Sequence, residues 1–178
     1  MDAPAVDERL LVAQDGDHLD ITLYIREEIL ERLADDDPAS RLHEGNIIDF
    51  CTAMEGVSHF LYLIWNAGYE RGVSLMELEM QAEIDKYVSS AILFGQQGGG
   101  YVPPSLHRWL FEEHGFDETL EGAALDRYRD ANYYAGRYCA TLERRYLGPN
   151  GRAGLFRDLR RVYRLTRSAK LHRAVEEH

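Results

Sequence analysis

Glu55 and His59 stand four residues apart in a stretch, Gly45 to Tyr69, that contains no Lys or Arg. On a helix that spacing sets a carboxylate and an imidazole one turn apart on one face, where they can share a proton or hold a divalent metal. At about 100° per residue, Tyr62 and Asn66 fall within about 60° of the pair, flanked by Cys51, Thr52 and Ser58. The chemistry this suggests is a site in a helical core. Glu55 would be ligand or base, His59 ligand or proton shuttle, and Tyr62 and Asn66 orienting hydrogen bonders, so that a catalytic set would read Glu55, His59 and Tyr62. A plainer reading is that Glu55 and His59 satisfy each other, or that the stripe faces water in a shallow groove. A buried polar stripe is costly unless its members are paired, so it needs an explanation either way.

Two residues do not complete a metal centre. The next helical segment offers Glu79 and Glu83, and the metal set would then be drawn from Glu55, His59, Glu79 and Glu83. Glu83 stands three residues before Lys86, however, and Glu79, Glu83, Lys86 and Ser90 share one helical stripe, which reads equally as an ordinary solvated face. Glu77 points with Met80 and Ile84, yet as third residue after Ser74 it has a sufficient job in a capping box. Di-metal carboxylate bundles carry Glu-x-x-His on paired helices, whereas Glu-x-x-x-His occurs here once, which counts against a ferritin-like arrangement.

A second kind of chemistry is recognition. Five tyrosines lie between Tyr128 and Tyr146, and Arg127, Tyr134, Tyr138 and Arg145 share one helical stripe. Tyr and Arg anchor protein interfaces because each joins a large contact area to a polar end, although tyrosines also pack inside bundles with the hydroxyl at the edge. Near the C-terminus Leu155, Phe156, Leu159, Val162, Tyr163 and Thr166 form the expected inward face, and Arg157, Arg160, Arg161, Arg164 and Arg167 the opposite one. Such a face could neutralise phosphates, but no nucleic-acid motif accompanies it, so an acidic protein partner or a second copy of the chain fits better.

Other motifs are absent. Gly98-Gly99-Gly100 lacks the Lys-Ser or Lys-Thr of a P-loop and follows a helix, so it reads as a polar linker. No Gly-x-Ser-x-Gly occurs, and Cys51 and Cys139 are single thiols in apolar periodic segments, with neither disulfide nor zinc spacing. Asp35-Asp36-Asp37 is followed by Pro38, with no glutamate at calcium-loop spacing, and reads as a solvated turn.

These residues need elements to position them. Leu10 to Ala13 leads into Asp15-Gly16-Asp17, and Leu19, Ile21, Leu23 and Ile25 then alternate with polar residues, the pattern of a hairpin over 10–25. Two strands alone are marginal in water, so the hairpin must pack on helices or pair with another copy. Helices are expected over 26–34, 46–67, 74–94, 105–114 (ended by Gly115), 121–147 (ended by Gly148-Pro149-Asn150-Gly151) and 153–175. The fold class is mainly α, a bundle of five to six helices with an N-terminal β-hairpin, in one domain over 1–178. Within it 26–94 forms an acidic helical half, 95–104 a Gly/Pro linker and 105–178 a helical half with a basic last helix. The stretch 46–67 is expected to be the central, largely buried helix.

Composition sets the outer bounds. The chain has 178 residues, 45% hydrophobic and 29% charged, with a net charge of −11. Residues 1–90 carry 6 basic and 20 acidic side chains, while residues 91–178 carry 14 and 11. That balance excludes a generic polyanion binder and a disordered acidic tail. Apolar runs are broken before the roughly 18 residues of a membrane span, and the N-terminus lacks the basic and apolar regions of a secretory signal, so the expectation is a cytoplasmic protein without a membrane partner. The function expected first is a non-enzymatic interaction or accessory protein and homo-oligomer, working through Tyr134, Tyr138, Arg145, Arg157, Arg160, Arg161 and Arg164. The alternative is a small metal-dependent or acid/base enzyme at Glu55 and His59.

Overall fold

The computed structural model describes residues 6–113, 121–147 and 154–176. The expected helix stop at Gly115, the loop 148–151 and the helix start at Ala153 lie outside them. The fold is mainly α with an N-terminal β-hairpin: β1 (Glu8–Asp15), β2 (His18–Ile25), α1 (Glu27–Asp35), α2 (Ile47–Ala67), α3 (Leu75–Gln97), α4 (Ser105–Arg108), α5 (Gly122–Tyr146), α6 (Leu155–Tyr163) and α7 (Arg167–Glu176). A π-helical turn, Trp109–Glu113, continues α4. The chain divides into two compact units, residues 1–73 and 74–178. The division falls just before Ser74, whose side chain and Glu77 form the expected capping box of α3.

In the first unit β1 and β2 pair antiparallel from Glu8↔Ile25 to Asp15↔His18. Gly16 turns the chain at φ 57°, in the left-handed region where a side chain is disfavoured. The hairpin packs on α2. Gly56 makes that approach possible, because a Cβ there would stand 2.7 Å from Leu23 Cδ1 and 2.9 Å from Glu8 Oε2. The far end of the hairpin, with Leu11, Val12 and Leu19, is exposed. Arg32 of α1 grips Asp49 of α2 with Nε and Nη2 at 2.6 and 2.7 Å, a bidentate geometry that fixes the angle between the helices. The acidic turn before α2 is knitted internally. Asp37 accepts from the Ala39 amide and the Ser40 hydroxyl at 2.9 and 2.8 Å, which lowers its pKa, backbone donation first. Asn46 donates to the carbonyls of Asp36 and Arg41 at 3.1 and 2.8 Å.

In the second unit α3 is the central element and packs along α5. Met80, Ile84, Tyr87 and Ala91 of α3 and Ala131, Ala135, Tyr138, Cys139 and Leu142 of α5 form its core. Tyr87, His107 and Phe111 stack with ring centroids 4.8 to 5.8 Å apart, and His107 Nε2 reaches the Gly136 carbonyl at 2.8 Å. Gly136 lacks a side chain where a Cβ would press on the Phe111 ring at 3.1 Å.

Several sequence expectations change. The acidic stripe of α3 is not a solvated face, since Glu79, Lys86 and Ser90 are all buried. α3 buries 13 residues and α2 only 7, so the centrally buried helix is α3 and not the basic-free α2. The single last helix is two, α6 and α7, broken at 164–166, so Arg167 leaves the arginine face. Phe156, expected inward, is exposed. By length and composition alone α2, at 21 residues, is long and apolar enough to cross a membrane, a test that the core helix of a soluble protein also passes.

Candidate functional site

α2 is built inside out relative to an ordinary amphipathic helix. Ile48, Leu61 and Ile64 are exposed, while Cys51, Ser58, His59, Tyr62 and Asn66 are buried and Glu55 is half-buried. The polar stripe read from the sequence is therefore an enclosed face, which removes the reading that it lies in a shallow wet groove. Within it Asn66 has a local job, donating from Nδ2 to the Tyr62 carbonyl one turn earlier at 2.8 Å. That bond ties the last turn of α2 and takes Asn66 out of the set of orienting hydrogen bonders. Tyr62 is fully buried and His59 nearly so, and an imidazole is a side chain able to act as donor, acceptor or ligand.

On α3 the two nominated carboxylates separate. Glu83 accepts from Lys86 Nζ at 2.7 Å, and that cation neutralises it. Glu79 is buried and one turn ahead of that pair. In the first unit a carboxylate and an imidazole, donors that a divalent cation such as zinc, manganese or iron accepts, are present one helical turn apart as Glu55 and His59.

The recognition residues divide as well. Tyr138 is 1% exposed and belongs to the core of the second unit, so it is no surface anchor. Tyr134 is half-buried, edge-on to Tyr133 with centroids 5.3 Å apart. Arg145, Arg157, Arg160, Arg161 and Arg164 are exposed. The acid among the α6 arginines, Asp158, is turned inward, where it accepts from Arg173 of α7 at 2.6 Å. The exposed charges of α6 are therefore all cationic.

Sequence reasoning missed Lys170. It is 1% exposed, donates from Nζ to Gln81 Oε1 at 2.8 Å and lies 5.9 Å from the Tyr163 ring centroid. Its only signal was being the one lysine among the basic residues of 151–178. No protein-family model, curated protein or solved structure matches the chain.

Proposed function

We propose that this chain binds a divalent metal ion through Glu55 and His59 of α2. The observation that carries the reading is the burial of an imidazole and its neighbouring polar side chains on a basic-free helix that leaves leucine and isoleucine in water. A buried imidazole one helical turn from a half-buried carboxylate supplies two of the donors such an ion takes. One imidazole and one carboxylate leave coordination positions for water or substrate, as a catalytic rather than a closed structural site would. The metal would act there as a Lewis acid or lower the pKa of bound water, and Tyr62 would orient the group it activates. The test is elemental analysis of protein purified without chelator, beside Glu55→Gln and His59→Gln. Near-stoichiometric zinc, iron or manganese in the native chain, lost in each variant while helical content is retained, is the expected result. A metal-free native protein that takes up none of the three on titration would overturn it.

The exposed arginines of α6 favour a second role, association in the cytoplasm with an acidic protein face or a second copy of the chain. Reversing Arg161 and Arg164 to Glu should leave thermal stability unchanged and abolish association. Unchanged oligomer mass and partner binding in that variant would dismiss the surface.

A further inference from the structure

The hairpin of the first unit has an open edge. β1 and β2 pair without a bulge from Glu8↔Ile25 to Asp15↔His18, and Gly16 at φ 57° opens the two-residue turn between them. The pair that closes such a turn exchanges hydrogen bonds, and opposite pairs then alternate, so Asp15, Ala13, Leu11 and Arg9 bond toward β2. The Arg26 amide donates to the Asp7 carbonyl at 2.9 Å, one step beyond the last pair, which fits the same alternation. Leu10, Val12 and Gln14 therefore turn their backbone N–H and C=O groups to the outer edge. Among the described residues none of the three makes a backbone hydrogen bond there. Residues 11–20 are exposed throughout, Val12 by 52%. Proteins protect an open edge with Lys, Pro, a bulge or a covering element, and Leu10 to Gln14 has no Lys, Pro or bulge. Charges stand only at its ends, on Arg9 and Asp15, and neither side chain makes a hydrogen bond or ion pair among the described residues.

Self-pairing of this edge selects one register. Across an antiparallel ladder outward-turned residues must face one another, so the two-fold axis falls on a residue rather than between two. Centred on Val12, it sets Val12 against its copy, Leu10 against Gln14, Leu11 against Ala13 and Arg9 against Asp15, each contact with the second copy being made in both directions. Opposite charges directly across a ladder attract, and like charges destabilise it. Centring on Leu11 instead sets Asp7 against Asp15, and centring on Ala13 sets Asp15 against Leu11. The outer edge of β2 offers no equivalent. There Arg26 is engaged by Asp7 at 3.0 Å, and registers centred on Asp20, Ile21 or Thr22 set Asp20 against itself, Thr22 or Tyr24. Pairing at β1 also carries an apolar row, Ile21 and Val12 of each copy, across four strands, whereas a lone hairpin is marginal in water.

We propose that the outer edge of β1 docks β1 of a second copy of this chain, antiparallel about Val12, with Arg9 and Asp15 bridging at both ends of the ladder. The surface lies within the first unit and depends neither on the metal ligands nor on the α6 arginines proposed above. One strand edge is small beside the roughly 1,200 Å² buried in a stable complex, so the pairing is weak and is populated above the micromolar concentrations of sedimentation.

The experiment uses the full-length, ¹⁵N-labelled chain carrying Arg161→Glu with Arg164→Glu, which removes the α6 surface, diluted from about 1 mM to about 20 μM and followed by amide proton shifts. Leu10, Val12 and Gln14 should move downfield with concentration along one monomer–dimer curve, as their amides gain acceptors. Arg9, Leu11 and Ala13, already bonded to β2, should move less. Arg9→Glu, at an exposed position, should weaken pairing about tenfold, because each attractive contact becomes a repulsive one. Adding Asp15→Arg to Arg9→Glu should restore it. Shifts independent of concentration up to about 1 mM would overturn the proposal. So would shifts centred on Leu19, Ile21 and Leu23 of β2, pairing indifferent to Arg9→Glu, or a charge exchange that restores nothing.

Discussion

Cys139 is wholly enclosed, and its thiol is pushed well above the ordinary range, first by burial and then by Glu83, Asp85 and Glu143. The thiolate is the reactive form, so Cys139 is inert while the fold is closed. An aromatic disulfide reagent should label it only at the rate of global unfolding, and in denaturant within seconds; rapid stoichiometric labelling of the native chain would contradict this. Tyr87 follows the same logic, its hydroxyl raised by burial and then by Cys139 and Glu143. Asp49 runs the other way. Its pKa is lowered by the Arg32 hydrogen bond, so the pair stabilises the folded state above the unfolded carboxylate value of about 3.9 and loses that contribution as pH falls through the lower folded value. Arg32→Gln should therefore be less stable than the native chain at pH 7, and thermal unfolding should show the gap closing below about pH 4; a gap that stayed constant into acid would exclude the ion pair as its cause. At this scale much of the candidate metal site was legible, because Glu55, His59 and Tyr62 follow from helical periodicity alone. Lys170 was not, since its burial depends on Gln81, 89 residues away along the chain.

Elements were legible where local chemistry terminates them and illegible where tertiary packing does. Gly68 and the capping box of Ser74 and Glu77 bound α2 and α3 as expected. The break between α6 and α7 has no Gly or Pro to announce it, and periodicity continues across it. Across it Asp158 and Arg173 form an ion pair at 2.6 Å that joins the two short helices, with side chains 8% and 18% exposed. Breaking a buried pair leaves a charge without its partner, so Asp158→Ala should cost about 3 kcal/mol in urea unfolding, whereas Asp158→Leu with Arg173→Met should recover most of it. A loss below about 0.5 kcal/mol in the single variant would show the pair to be screened like a surface one. Gly56 offers a second test at the hairpin seat. The atoms a Cβ would meet, Leu23 Cδ1 and Glu8 Oε2, are ends of side chains that can turn away. Gly56→Ala should therefore be near neutral, the gain of up to about 1 kcal/mol in helix propensity offsetting the crowding, while Gly56→Leu should destabilise by about 2 kcal/mol. Equal stability of the two variants would mean that the hairpin does not rest on α2 there.

At the scale of the whole molecule the fold class was legible and the division at Ser74 was not, because a Gly-rich run at 95–100 is a louder compositional signal than the short connection that separates the units. Residues 1–73 carry 5 basic and 16 acidic side chains, net −11, whereas residues 74–178 carry 15 of each. The neutral unit nevertheless presents a concentrated cationic strip, because Asp158 is drawn inward and Arg157, Arg160, Arg161 and Arg164 are not. A strip of that sign meeting a surface as acidic as residues 1–73 gains from Coulomb attraction, which salt screens over about 8 to 10 Å near physiological strength. Association of two copies through these surfaces should thus be strongest at low salt. Sedimentation velocity should show a larger species at about 20 mM NaCl that dissociates toward 0.5 M, where the screening length falls to about 4 Å. Arg161→Glu with Arg164→Glu should be monomeric at both. Association that strengthens with salt would instead identify an apolar contact, for which exposed Ile48, Leu61 and Ile64 of α2 offer the surface, and Leu61→Ser would then be the variant that dissociates it.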